Sequence, residues 1–491
     1  MTATVPPGSF EQRLDNAPLT RTMGLLWLLS AGLIALDGFD FFVIGVAIPF
    51  LKQDFGLDAA AIGAVATAAV VGSLVGSLTL GPITDRVGRK PMLMVDVILF
   101  VVATAGTALA WNAASLIAFR FLVGVAIGAD YPISVAYITE NVPARYRGRL
   151  VIGAFTFQAV GALLGALTGV VVLHLFGVWY PDPEPLAVQY AWRWMLGVGV
   201  AWAVLVAALR LSIRLESPRY YINRGEYEAA SVAARQLLGE AIVITADLEP
   251  PPDLEPATLA TLFTPPHRRS TLLAAVPWFL QDIATYGIGI FTPVIIAMLA
   301  LSTETDFMVR QINSARGAAL VDVFLIVGFL GAVALVERLG RIRLQVMGFV
   351  GMAVGLLLLA ASGLVSGAET GLVLAGFLVF NLMMNAGPNA TTFLLSGEVF
   401  PTSMRATGAG FAAAFAKAGA VLGTFVLPML ATAWGIPLLL VGLALVCVLA
   451  AALTYRFRIE TTGQSLEAVQ DWERSQAATP SSPLPQMVND L

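Results

Sequence analysis

Apolar runs recur from near the start of this chain to near its end, and they limit what it can fold into more than any other feature. They fall near 24–51, 58–82, 91–110, 113–139, 150–177, 191–213, 272–300, 314–336, 343–366, 370–397, 404–431 and 435–455. Each is long enough to cross a hydrocarbon core of about 30 Å as a helix, so the sequence predicts an all-α polytopic membrane protein with twelve transmembrane helices. Of 491 residues, 58% are hydrophobic and 12% charged, and the mean hydropathy is +0.81. An ordinary soluble domain carries roughly 25% charged residues.

Lys and Arg placement gives the expected orientation. "DRVGRK" (85–90), "ARYRGR" (144–149), "ERLGRIR" (337–343), "PTSMR" (401–405) and "YRFR" (455–458) fall on one side, together with Arg13 and Arg21. Both termini are therefore expected in the cytoplasm, with the chain in the plasma or inner membrane. Met1–Thr20 is polar and lacks the apolar core of a Sec-type signal, so the first helix is expected to direct insertion. The net charge of −4 with no basic patch gives no reason to expect nucleic acid as a partner. One cysteine, Cys447, allows neither an intrachain disulfide nor a cysteine metal site. No metal or other cofactor is expected, and no nucleophile or nucleotide loop suggests an enzyme.

The chain is also duplicated. "GPITDRVGRK" after the second run is echoed by "ERLGRIR" after the eighth, and "ENVPARYRGR" after the fourth by "EVFPTSMRAT" after the tenth. The expected organisation is an N-terminal segment (1–23), a six-helix bundle (24–213), a polar linker (214–271), a second bundle (272–456) and a tail (457–491). The linker has the spacing of one or two amphipathic helices followed by proline-rich chain, and the tail is expected to be disordered beyond about Arg474. Parallel repeats of this kind imply two bundles related by a pseudo-twofold along the membrane normal, with a site between them near mid-depth.

Polar residues inside the runs mark that site. "LDGFDFFVIG" places Asp37 and Asp40 in the first run, where an ionised Asp costs roughly 2.5–3.5 kcal/mol. "GADYPIS" and "NAGPNATTF" put a proline and polar side chains at matching depth, so Asp130 and Asn389 are expected to face each other across the pseudo-twofold. Gln158 and Lys417 follow Arg147 and Arg405 by eleven and twelve residues and so lie at similar depth. Trp278, Asp282 and Tyr286, at four-residue steps, form one helix face, with a bend expected at Gly287 and Gly289. The loop charges Asp85, Arg86, Arg89, Glu140, Arg147, Glu337, Glu398 and Arg405 are expected to form cytoplasmic ion pairs that hold an outward-open state. Asp96, Asp322, His174 and His267 have no assigned part.

"GPITDRVGRK" resembles the loop signature of the major facilitator superfamily, and "ESPRYYINRGEYEAA" resembles a segment of its sugar-porter-like branch. Within that branch, "WFLQDIATYG", "GADYPIS", "GPNATTFLLSGEVFP" and Lys417 resemble the phosphate:proton symporter family. The resemblance implies phosphate binding by Tyr131, Gln158, Trp278, Asp282, Tyr286, Asn389 and Lys417, and proton movement through Asp37 or Asp40 and Asp130. One departure is that "DGFDFFVIGVAIP" is closer to the aromatic-acid:proton symporters. The expected function is symport of phosphate with protons by a monomer. The alternatives are an aromatic or other organic acid, and then a sugar, for which the paired glutamines of the seventh helix are lacking. Of the first-helix pair, Asp40 is preferred as the proton site.

Overall fold

A computed structural model describes residues 10–180, 182–211, 216–240, 242–246, 258–265, 267–289, 306–362, 369–464 and 466. A short helix α1 (Phe10–Asn16) leads into α2 (Arg21–Asp54), α3 (Ala59–Val87), α4 (Arg89–Ala108), α5 (Ala113–Asn141) and α6 (Ala144–Trp179). The single turn α7 (Pro183–Leu186) continues through a π turn into α8 (Trp192–Leu211), which completes the first half. Two linker helices follow, α9 (Pro218–Asn223) and α10 (Tyr227–Leu238). The second half is α11 (Arg268–Gly289), α12 (Phe307–Leu339), α13 (Arg341–Ala361), α14 (Glu369–Ala386), α15 (Pro388–Glu398), α16 (Arg405–Trp434) and α17 (Ile436–Phe457).

Ten helical stretches among the described residues are long and apolar enough to cross a membrane. The other two passes are α11, described as far as Gly289, and α14–α15, which is divided at Gly387. These two carry a large share of the polar side chains at mid-depth. Helices suit this setting because each satisfies its own backbone hydrogen bonds away from water. Their ends are fixed by polar caps: Thr20 accepts from the Met23 N–H (3.2 Å), Asp58 from Ala61 (2.7 Å) and Asp306 from Val309 (2.9 Å). Asn112 and Ser115 form a reciprocal capping box at the start of α5.

In the first half α2 packs on α6 and α3 on α5; in the second, α11 packs on α16, and α13 on α14 and α17. The halves meet along two seams, α6 against α12 and α3 against α16. The second seam is backbone on backbone. A Cβ at Gly410 would collide with the Ser77 carbonyl, and one at Gly81 would lie 2.5 Å from the Ala406 carbonyl oxygen.

Several bounds differ from the sequence reading. The fifth pass begins at Ala144 rather than 150, because the basic "RYRGR" segment is already helical. The tenth run is two helices, because Pro388 has no N–H to continue α14 and Gly387 turns the chain. The seventh pass starts at Arg268. Gly287 and Gly289 end the described part of α11, so the expected bend lies outside the described residues, as does the tail beyond Arg474.

Candidate functional site

Among the described residues, the second half holds a polar centre around Lys417. A Cβ at Gly423 would stand 2.7 Å from the Ile283 carbonyl, and Gly419 meets Phe279 more closely, so α16 and α11 touch backbone to backbone. That approach brings the Lys417 ammonium onto the α11 stripe. It donates to the Tyr286 hydroxyl at 2.8 Å and to Asp282 at 3.4 Å, and it lies 4.8 Å from the Tyr286 ring centre. Asp282 and Lys417 are both buried.

Beside this centre runs a ladder of amides. Buried Gln281 donates to Asn389 (3.1 Å), Asn389 donates to Asn385 (2.8 Å), and Asn385 donates to the Asn381 carbonyl (2.8 Å). Thr392 donates to the other end of Gln281 (3.4 Å). The Gly387–Pro388 break makes this ladder possible, since it sets Asn389 on the first turn of α15 while Asn385 stays on α14.

The first half holds a different centre. Asp40 on α2 is ion-paired with Arg120 on α5, and both are buried. Ser134 donates to Asp130 at 2.7 Å. Asp37 keeps one oxygen without a hydrogen-bond partner. Its electrostatic neighbours are Asp130, Asp96 and Asp40 and, from the other half, Lys417, so the two centres lie within electrostatic reach of each other; the space between them is here termed the chamber. Asp96 thereby joins the acidic group. Gln158 is half-buried on α6, with its backbone against Gly38 of α2. The Tyr131 side chain lies outside the described residues.

One ring stack links the halves next to the chamber. Phe155 of α6 stacks on Phe393 of α15 with centroids 3.8 Å apart, and Phe393 meets Trp278 edge-on at 4.6 Å. These rings lie between Gln158 and the Lys- and Arg-rich turns, here termed the basic end.

At the basic end Glu140 accepts from Arg89 (2.7 Å) and, across the seam, from Arg405 (3.0 Å). Arg89 also pairs with Asp85 (3.2 Å). Asp85 crosses the seam itself, accepting from the N–H groups of Ala406 (3.3 Å) and Thr407 (2.7 Å) at the start of α16, where the helix dipole favours an anion. The duplicate turn is built alike. Arg341 holds Glu337 (2.6 Å) and Glu398 (3.1 Å). Gly88 (φ 108°) and Gly340 (φ 83°) make the two turns with a backbone that side-chain-bearing residues rarely adopt.

Each turn is closed by a glutamate from beyond its bundle. Glu216 accepts from the Lys90 N–H (2.9 Å), and burial pushes its carboxyl up from the ordinary range. Glu460 accepts from Arg341 (3.0 Å) and Ile342 (3.1 Å). Arg147 donates to the Gln464 carbonyl (3.2 Å) and lies 3.9 Å from Asp15 of α1. The same Asp15 carboxylate accepts from the Ala144 N–H (2.8 Å).

Of the expected gate, Asp85, Arg89, Glu140, Glu337, Glu398 and Arg405 enter ion pairs or helix caps as described above, and Arg147 takes its carboxylate from α1. Arg86 does not join them. Its side chain is exposed, and its carbonyl accepts from Tyr220 (3.3 Å) and Arg224 (3.1 Å). Seam contacts at the basic end close that end of the structure. Sequence reasoning missed Arg120, Arg341, Gln281 and Asn385. Arg120 had a signal, a lone basic residue inside an apolar run, to which the cost argument used for Asp40 applies equally. Glu216 and Glu460 were also legible as the repeated "RLE" and "RIE" after the sixth and twelfth runs.

Comparison with known proteins adds three findings. The model of the family described as "Sugar (and other) transporter" matches residues 27–472. Among curated proteins, the inner membrane metabolite transport protein YgcS of Escherichia coli K12 is 28% identical, covering 93% of this chain and 96% of its own. The inorganic phosphate transporter 1-2 of Oryza sativa subsp. japonica is 29% identical, covering 84% and 85%. Among solved structures, the major facilitator superfamily proton:xylose symporter XylE superposes with a TM-score of 0.76 at 21% identity, over 93% of this chain and all of that one.

Proposed function

The chain belongs to the sugar (and other) transporter family, secondary transporters of the major facilitator fold, and from that premise we propose that it imports inorganic phosphate together with protons. The observation that carries this reading is the charge balance of the chamber. Asp37, Asp40, Asp96, Asp130 and Asp282 stand against Arg120 and Lys417. An anion enters such a space only after acids are neutralised, which makes proton binding a condition of substrate binding rather than an accompaniment to it.

In this reading the basic end faces the cytoplasm of the cell or inner membrane, as the excess of Lys and Arg there favours, and both termini lie on that side. A proton arriving from outside settles on Asp40, whose neutral form releases Arg120, or on its neighbours Asp37 and Asp130. Lys417, Tyr286, Asn389, Gln158, Trp278 and Tyr131 then donate to phosphate oxygens, while Asp282 accepts from a phosphate hydroxyl. The lock around Glu140 and Asp85 opens when the halves rock about the loaded site, and loss of the proton to the cytoplasm ejects the anion. The residues assigned to the site all come from one chain, so on this reading a monomer suffices. The likeness to a plant phosphate transporter supports the choice of substrate.

A second reading, symport of an aromatic acid, draws on the Trp278–Phe393–Phe155 stack, which offers ring faces beside Lys417's chamber. Proteoliposomes with an imposed inward proton gradient separate the two. The phosphate reading requires saturable uptake of labelled phosphate that benzoate does not inhibit, and its loss in Asp282→Asn; uptake of labelled benzoate resistant to phosphate establishes the alternative instead.

A further inference from the structure

Asp322 has no part in either centre, yet it is a buried acid. It lies midway along α12 and is 1% exposed. One carboxylate oxygen is buried without a hydrogen-bond partner among the described residues. A buried polar group left unsatisfied in one state calls for an explanation in another. Intramembrane acids are functional by default.

Its place in the fold supplies that explanation. The buried stripe of α12, with Ala315, Asp322, Phe329 and Val336, faces the seam with α6 and the neighbouring α14. Gly148 of α6 lies against Glu337 of α12. Counting along the antiparallel pair from there sets Asp322 opposite the "GALLGALTG" stretch of α6, which has no titratable side chain.

Among the described residues, the charged groups on the helices packed most closely against α12 stand as follows. On α6, Arg145, Tyr146, Arg147 and Arg149 are at the basic end, and His174 is exposed more than two turns beyond Asp322's level. On α13, Arg341 and Arg343 are at the basic end; on α14, Glu369 is at the opposite end. On α2, Asp37 and Asp40 belong to the acidic centre of the first half, with Asp40 paired with Arg120, and Arg21, Lys52 and Asp54 are at the helix ends. On α12 itself, Glu337 and Arg338 stand at one end and Arg310 and Arg316 toward the other.

The geometry points to Asp322 as a further proton-binding residue of the transport cycle, neutral while the α6–α12 seam is shut and ionised when the halves part. On opening, the carboxyl O–H breaks and its proton passes to entering water; on closing, a proton must return before the seam can shut. The inference rests on the proton-coupled reading above for its role in the cycle, and it adds a site in the second half, where the acidic group of the first half has no member.

Two measurements test it. Wild-type protein and Asp322→Asn in nanodiscs at neutral pH are compared by infrared difference spectroscopy in the carboxyl C=O region. A protonated-acid band present in the wild type and missing from the variant is expected; superimposable spectra overturn the proposal. In proteoliposomes, with inorganic phosphate as the probe, one required proton makes wild-type uptake fall by up to about tenfold per pH unit on the alkaline side. Asn mimics the neutral acid and should flatten that limb by up to about tenfold per pH unit, leaving the part set by the first-half acids, and so run faster than wild type at high pH, while Asp322→Glu keeps the full limb. An Asn profile parallel to wild type overturns the proposal. A wild-type protein that moves no phosphate sinks the phosphate reading alone, and the infrared comparison then decides this one.

Discussion

The two polar centres of the chamber differ in kind. In the first half one arginine faces a crowd of acids: Arg120 grips Asp40, while Asp37, Asp96 and Asp130 gather nearby. In the second half charge is matched, Lys417 against Asp282, and the rest of the lining is neutral hydroxyl and amide. An excess of acids suits binding and releasing protons, whereas matched charge with directional hydrogen bonds suits holding a shaped ligand. On the proposed reading, a repeated architecture gathers most of its proton-binding acids on one side and its recognition groups on the other.

That division can be broken most sharply at Arg120. Arg120→Ala strands Asp40 as a buried carboxylate, and removing one partner of such a pair costs about 3–5 kcal/mol. A large fall in melting temperature is expected, along with loss of proton-driven accumulation. Asp40→Asn, which keeps the shape, should retain exchange of phosphate across the membrane while losing accumulation against a gradient. If Asp40→Asn instead spared accumulation, the first half would lose its claim to the proton.

Lys417→Met tests the other side. A hydrogen bond to a charged group contributes about 1.5–3 kcal/mol, so KM for phosphate should rise roughly 10- to 100-fold with the pH dependence intact. Equal damage to coupling and to KM would merge the two centres into one.

Gln281→Leu sharpens the recognition side more gently. It leaves the Asn389 carbonyl without its donor, at a cost of about 1–3 kcal/mol, and is expected to raise KM with little change in kcat. The smallest effects belong to the closing glutamates. Glu216→Gln and Glu460→Gln each weaken a helix cap worth about 1 kcal/mol. Thermal melts should show similar small losses for both if the duplicated turns are equivalent.

Much of the architecture could be read from hydropathy, because a span needs only length and apolarity, and ten of the helices meet both demands. Helix α1 could not. "FEQRLDN" is too short to be stable alone and exists because Phe10 and Leu14 bury themselves against the linker helices and Asp15 caps α6. The acids and Lys417 stood out because charge inside an apolar run is costly. Which residue pairs with which did not, since Arg120 lies 80 positions from Asp40 and Asn389 lies 108 from Gln281. Gln281 was in plain view beside Asp282, but a single amide in a helix gives no hint of the ladder that the broken tenth pass completes.

The bare backbone contact between α3 and α16 also has a practical use. With no side chain at Gly410, the halves fit together at the basic end like planed boards, and a leucine there would act as a wedge. Gly410→Leu should hold the protein splayed at that end, giving a trapped form for raising conformation-selective antibodies or for imaging.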